Sequence, residues 1–370
     1  MPAIAAVKRH KRHLIEKYAR PDDGIGTLQA VTTLLSLAAL WVVVAQASEW
    51  PTLVAATLAM SLVLLRSFSL MHDCGHGSLF RTRRLNQVVG FLFGVVTGMP
   101  QYVWAQHHNY HHANNGNWFR YRGPLSILSV DEFAALSRRQ QRLYPMVRTI
   151  WLAPVAGLMY LIVNPRVNWF RGTVALLAHQ ASTVMRKSAA PFKPRYWKTP
   201  AEFWHMTANN IVLLGLWAAV SAWIGAWNFF PVYLISVSLA GGLGIVLFTV
   251  QHNFEHSYAA GDHDWDYDTA AIEGTSYLAL PGWLNWVTAD IGYHHVHHIS
   301  ARIPNYRLAA CHAENKHLFT TVKQLTLGEV KQSLRYLLWD PASRRIISID
   351  QYEAARLERR AAQPSPHPAW

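Results

Sequence analysis

At 370 residues the chain is long enough for a large core or two soluble domains. Its 51% hydrophobic and 15% charged residues exclude an ordinary water-soluble protein, where roughly 25% charge is usual. The 16 Trp suit rings resting at a bilayer interface, and the net charge of +13 leaves nucleic acid, anionic lipid or an acidic protein as partners until its distribution is read.

The first twenty residues are basic and are not followed by an apolar core with a cleavage site, so no secretory signal is expected. From Thr27 to Leu65 no charged residue occurs except at the break Ser48-Glu49-Trp50-Pro51. Each half fits one crossing of about 20 apolar residues, which predicts a helical hairpin over about 27–70. Directly behind it stands His72-Asp73-Cys74-Gly75-His76. Gln87 to Ala105 is apolar but carries three Gly and a Pro, and is expected to be embedded or interfacial rather than a crossing. It leads into Gln106-His107-His108-Asn109-Tyr110-His111-His112. Trp151 to Val163 is too short to span and reads as a second interfacial piece.

A second uncharged stretch, Asn209 to Val250, predicts another hairpin, with its turn at Trp227-Asn228-Phe229-Phe230-Pro231. His252 and His256 follow it, then His294-His295-Val296-His297-His298, and finally a Pro- and Ser-containing tail, 361–370, that reads as loose. All basic residues fall outside the two uncharged stretches, those between them starting at Arg66, and none falls in their turns. The positive-inside rule therefore places both termini and the segments 71–208 and 251–350 in the cytoplasm. That removes the need for nucleic acid as a partner. The expected fold class is an all-α integral membrane protein forming a single domain over 1–370, with four transmembrane helices in two hairpins under a cytoplasmic helical cap. The two cysteines, Cys74 and Cys311, are too few for a disulfide framework.

Positions three and four apart share one helix face, so His72 with His76, His108 with His111 and His112, and His294 with His297 and His298 each make a row of imidazoles. With 20 His in 370 residues, H-x-x-H-H should arise by chance far less than once, and it occurs twice. Isolated His10, His13, His179, His205, His312 and His317 read as ordinary hydrogen-bonded side chains. The clustered ones converge too many lone pairs to do without a cation. Eight or nine imidazoles exceed one four-coordinate zinc site and suit two ions at four or five each. Iron with open positions, beside hydrocarbon, points to oxidation of an unactivated C–H bond by dioxygen.

These residues resemble the membrane-bound fatty acid desaturases, whose mark is three boxes of the form H-x(3,4)-H, H-x(2,3)-H-H and H-x-x-H-H. The likeness extends through HDCGHGSLF from His72, HHANNGN to Asn117, VQHNFEHSY from Val250, and DIGYHHVHHISARIPNYRLAACH to His312. The sequence looks like the bacterial and plastid-type acyl-lipid desaturases, including those of Δ12 type. The resemblance implies two irons held by His72, His76, His108, His111, His112, His294, His297 and His298, with His252 completing the set. It also implies dioxygen as co-substrate, an acyl chain in a kinked tunnel, a bacterial inner membrane, and a separate electron donor such as a ferredoxin. No His-Pro-Gly-Gly haem motif occurs. His256 stands where relatives often have an acid, and is expected to support a ligand rather than bind. Arg81, Arg83, Arg84 and Arg120 are the expected docking cations. The rival readings are a membrane di-iron hydroxylase and, from another class, a metal transporter, whose ligands should lie near the membrane midplane.

Overall fold

The computed structural model describes residues 2–123, 126–186 and 191–361, so the stretch read as a tail lies outside it except for Ala361, which ends the last helix. Helices α1 (Pro2–Tyr18), α2 (Asp23–Gln46), α3 (Trp50–His76), α4 (Arg83–Thr97) and α5 (Gln101–Asn114) come first. Short α6 (Val130–Ala134), α7 (Arg138–Met146) and α8 (Ala153–Leu158) follow, the last continuing through a π-helical turn into α9 (Asn164–Arg186). Then come α10 (Pro200–Ile224) and α11 (Ala226–His252), and in the cap α12 (Tyr267–Glu273), α13 (Gly282–Thr288), α14 (His294–Ile299), α15 (Asn305–Glu314), α16 (Val330–Ser333) and α17 (Ile349–Ala361).

Four of these, α2, α3, α10 and α11, are long and apolar enough to cross a membrane. At 24 to 27 residues each they reach about 36–40 Å, more than the roughly 30 Å of hydrocarbon, so their ends project beyond it. The helices outrun the apolar runs that announced them. Asp22 caps α2 by accepting the Ile25 N–H at 3.0 Å, Thr199 does the same for α10, and α3 continues through the first histidine box until Gly77 closes it at φ +68°. Arg66, expected beyond the first hairpin, therefore lies inside α3. It is fully buried, its Nε donating to Thr33 Oγ1 at 3.0 Å and a second N–H to the Trp286 carbonyl, with its plane 4.1 Å above the Trp286 ring.

The second hairpin turns on a single residue, Gly225 at φ +84°, and not over 227–231. Pro231, the sixth residue of α11, sits inside the helix near its start and leaves the Trp227 carbonyl without its usual i+4 donor. Between the hairpins, α4 and α5 meet at 103° around Gly98 and Pro100, so Gln87 to Ala105 is not one straight crossing. The piece Trp151 to Val163 packs along α11 at backbone distance. A Cβ on Gly157 would lie 2.4 Å from the Gly241 carbonyl carbon.

The cap is helical but also holds two small sheets that the sequence did not announce. In one, β1 (Leu128–Ser129) runs parallel to β4 (Tyr336–Asp340), which pairs antiparallel with β5 (Arg345–Ser348). In the other, β2 (Ser276–Ala279) runs parallel to β3 (Lys323–Thr326). The amphipathic α1 lies over α14 and α15: Ile4, Val7 and Leu14 join one core with Val296, Ile299, Leu308 and Cys311. Lys8–Asp266 and Lys11–Asp268, each at 2.7 Å, fix its flank.

Candidate metal centre

The nine histidines come from four elements whose ends meet under the cap. His72 and His76 occupy the last turns of α3, His108, His111 and His112 the last turns of α5, His252 the last residue of α11, and His294, His297 and His298 the single short helix α14. The bend after Gly98 aims α5 and its box across the end of α3. Ring nitrogens of His72, His76, His108, His112 and His297 all fall within 4.8 Å of one another, as do those of His111, His252 and His298. His294 joins the second set, its Nε2 lying 3.0 Å from His252 Nε2. The nine imidazoles thus separate into five and four, with adjacent His297 and His298 facing different sets.

Two nitrogens on one ion at about 2.1 Å stand about 3.0–3.4 Å apart, between right-angle and tetrahedral geometry. His108 and His112 Nε2 are 3.1 Å apart, and His112 and His297 Nε2 are 3.0 Å apart. His76 Nε2, His298 Nε2 and both ring nitrogens of His111 are buried with no hydrogen-bond partner. An unmet buried polar atom costs about 1–3 kcal/mol, and a cation is the partner these lone pairs fit. Burial, and then neighbouring imidazoles, push His294, His297 and His298 well below the usual histidine range, so they stay neutral and able to donate. Neither set contains a thiolate or carboxylate, which suits iron, zinc or copper and not magnesium or calcium.

A surrounding layer fixes the rings. Asp73 accepts from His72 Nδ1 at 3.0 Å with one oxygen, and with the other it accepts the Asn305 backbone N–H at 2.8 Å and side-chain amide at 3.0 Å. His252 Nδ1 faces the Gly274 carbonyl at 3.3 Å, and Trp104 stacks on His108 at 4.5 Å. Sequence reasoning passed over Asp73 and Asn305, although both lie in the quoted box wording. His295 turns away from both sets to His312, 2.9 Å from Nε2 to Nδ1, which agrees with reading His312 as hydrogen-bonded. His256 differs from its expected supporting role. The α11 helix ends at His252, the chain turns at His256 with φ +62°, and its ring is exposed beside Glu255. The shared face that i and i+4 promised requires a helix that is not there.

Beside the second set a cavity of about 100 Å³ opens on His111 and His252, with Phe248, Tyr121 and Trp118 in its wall. It offers room for apolar matter against histidine. The model of the family described as fatty acid desaturase matches residues 48–326. The chain is 33% identical over 356 residues to a fatty acid desaturase of Bacillus subtilis, covering 93% of this chain and 92% of that protein.

The chain belongs to the fatty acid desaturase family.

As a desaturase it is a membrane oxidoreductase, and two further relatives widen the comparison. It is 26% identical over 313 residues to the sn-1 oleoyl-lipid 12-desaturase of Picosynechococcus, covering 82% of each chain. It is also 26% identical over 249 residues to the sn-1 acyl-lipid omega-3 desaturase (ferredoxin) of Synechocystis, covering 65% of this desaturase and 61% of that one.

Proposed function

We propose that this desaturase inserts a double bond into a lipid acyl chain using two iron ions, one held by His72, His76, His108, His112 and His297 and the other by His111, His252, His294 and His298. The observation that carries the reading is nine imidazoles, eight of them buried and His76 half-buried, in two sets beside a cavity at the ends of membrane-spanning helices. The balance is R–CH2–CH2–R′ + O2 + 2 e⁻ + 2 H⁺ → R–CH=CH–R′ + 2 H2O. Bound iron would supply the oxidising power that no side chain has. The chain's own residues do the rest. Asp73, bridged to Asn305, keeps the His72 proton on Nδ1 and leaves Nε2 as the donor. Phe248 stands 5.3 Å from the His111 ring and 4.8 Å from that of His252 and, with Tyr121 at 4.9 Å from His111, keeps water from this face and positions methylenes against it. The proposed orientation puts the cap and both termini in the cytoplasm of a bacterium.

Expression in a host without desaturation, with double bonds located in its lipids by mass spectrometry, tests the reading. Iron should restore turnover to metal-stripped protein and zinc should not, and full activity on zinc alone would end the redox account. Electrons would come from a small acidic carrier such as a ferredoxin, docking at Arg81, Arg83 and Arg84. Arg120 contributes less, since Asp262 pairs with it at 2.7 Å. Donor-limited turnover should fall as salt rises, and a flat response would count against this surface.

A further inference from the structure

A second cavity, of about 260 Å³, lies between the last turns of α11 and the segment 147–153. It shares two lining residues, Ile127 and Asn253, with the cavity that opens on His111 and His252, so these two side chains stand between neighbouring cavities. Its wall includes Ile245, Val246 and Thr249, three to seven residues before His252, which puts it about 5–10 Å below the end of the span. That is the depth at which the acyl chains of a bilayer begin. Around its outer rim the side chains of Val147, Ile150, Trp151 and Leu152 are exposed, Trp151 to 86%, an apolar collar of the kind that rests in a membrane interface.

Within this collar stands one cation. Arg148 is half-buried against Tyr144, its guanidinium 4.0 Å from the ring centroid, and donates to the Tyr144 and Ser126 carbonyls. It forms no ion pair among the described residues, in contrast with Arg122 of the inner cavity, which Glu132 neutralises at 2.5 Å. An unneutralised guanidinium between apolar rim and aqueous cap fits a phosphodiester.

We propose that this cavity is the lateral mouth of the desaturase, taking the acyl chain of a membrane phosphoglycerolipid directly from the bilayer, with Arg148 on the lipid phosphate and the chain passing Ile127 and Asn253 toward His111 and His252. The inference rests on the desaturase reading and deepens it. The substrate chain stays esterified to its lipid, and a thioester arriving from the cytoplasm has no need of this opening.

Ala156 lines the mouth and is exposed, so Ala156→Trp narrows the opening without entering the core. The full-length protein is reconstituted in nanodiscs with phosphatidylglycerol bearing a diazirine on one acyl chain, and cross-linked peptides are read by mass spectrometry, which needs no turnover. Wild type should label within 147–153 and 245–253, and A156W should lose at least about tenfold of that label. Labelling confined to the outer faces of the spans, or unchanged in A156W, would overturn the mouth. In iron-loaded protein, Arg148→Gln should raise KM several-fold for phosphatidylglycerol and leave it unchanged for a diacyl galactolipid. An equal change for both, or none, removes the phosphate from the proposal. Wild type that labels as expected yet makes no double bond from any acyl donor would instead defeat the desaturase reading and leave the mouth standing.

Discussion

His252 and His256 stand four residues apart and have opposite surroundings, one buried at 3.0 Å from His294, the other exposed on a left-handed turn. On the proposed assignment His252→Ala should lose about one ion per chain and all detectable product, measured by metal analysis and lipid mass spectrometry. His256→Ala should keep both ions and stay within about twofold of wild type, as surface changes do. Emptying of a metal position in H256A would reverse the pair. Asp73→Asn keeps the shape but loses the anion that polarises His72, and should cost 10–100-fold in metal affinity or activity. The spacing H-x-x-H-H was legible because 3.6 residues per turn turns it into a row. Which imidazole joins which set was not, since His297 and His298 are neighbours in the chain and face different sets. Nor could the link from Asp73 to Asn305 be read, because it joins residues 232 apart.

The elements were most legible where lipid dictates them. Lack of charge over 20 residues fixes a helix whatever its neighbours are, and all four spans followed from it. Their ends were misjudged because capping, not hydropathy, stops a helix: α3 runs on to Gly77, and α10 turns at Gly225 and not at the more polar and Pro-bearing 227–231. The sheets escaped for a different reason. Strands of two to five residues are too short for alternation to show, and Leu128 pairs with Leu338 across most of the chain. The packing of α8 on α11 gives a test at this scale. Gly157→Ala sets a methyl into the Gly241 backbone, which cannot swing aside, and should destabilise the solubilised protein by about 1–3 kcal/mol, read as a lower unfolding temperature with the metal-loaded protein otherwise active. An unchanged melting curve would mean the two helices separate freely.

For the molecule as a whole, the proposed orientation sets both hairpin turns outside. Glu49 is exposed at the first turn and Asn228 just past the second, in the first turn of α11, while Cys74 and Cys311 are buried and are replaced in the test background. Single cysteines at 49 and 228 should label in intact cells, and labelling of either only after permeabilisation would refute the topology. The distribution of histidines along the chain also sets an order in time. His72, His76, His108 and His112 exist as soon as the first third of the chain is made, yet His297, which lies 3.0 Å from His112, follows 185 residues later. At about 5–20 residues per second of synthesis, that is an interval of about 10–40 s. Through it the nascent chain holds four of the five histidines of that set without α14 to complete them, and the second hairpin is added only once His252 has been made. On the proposed assignment, a metal met in that interval would find four of its five donors, and discrimination between ions would wait until α14 docks.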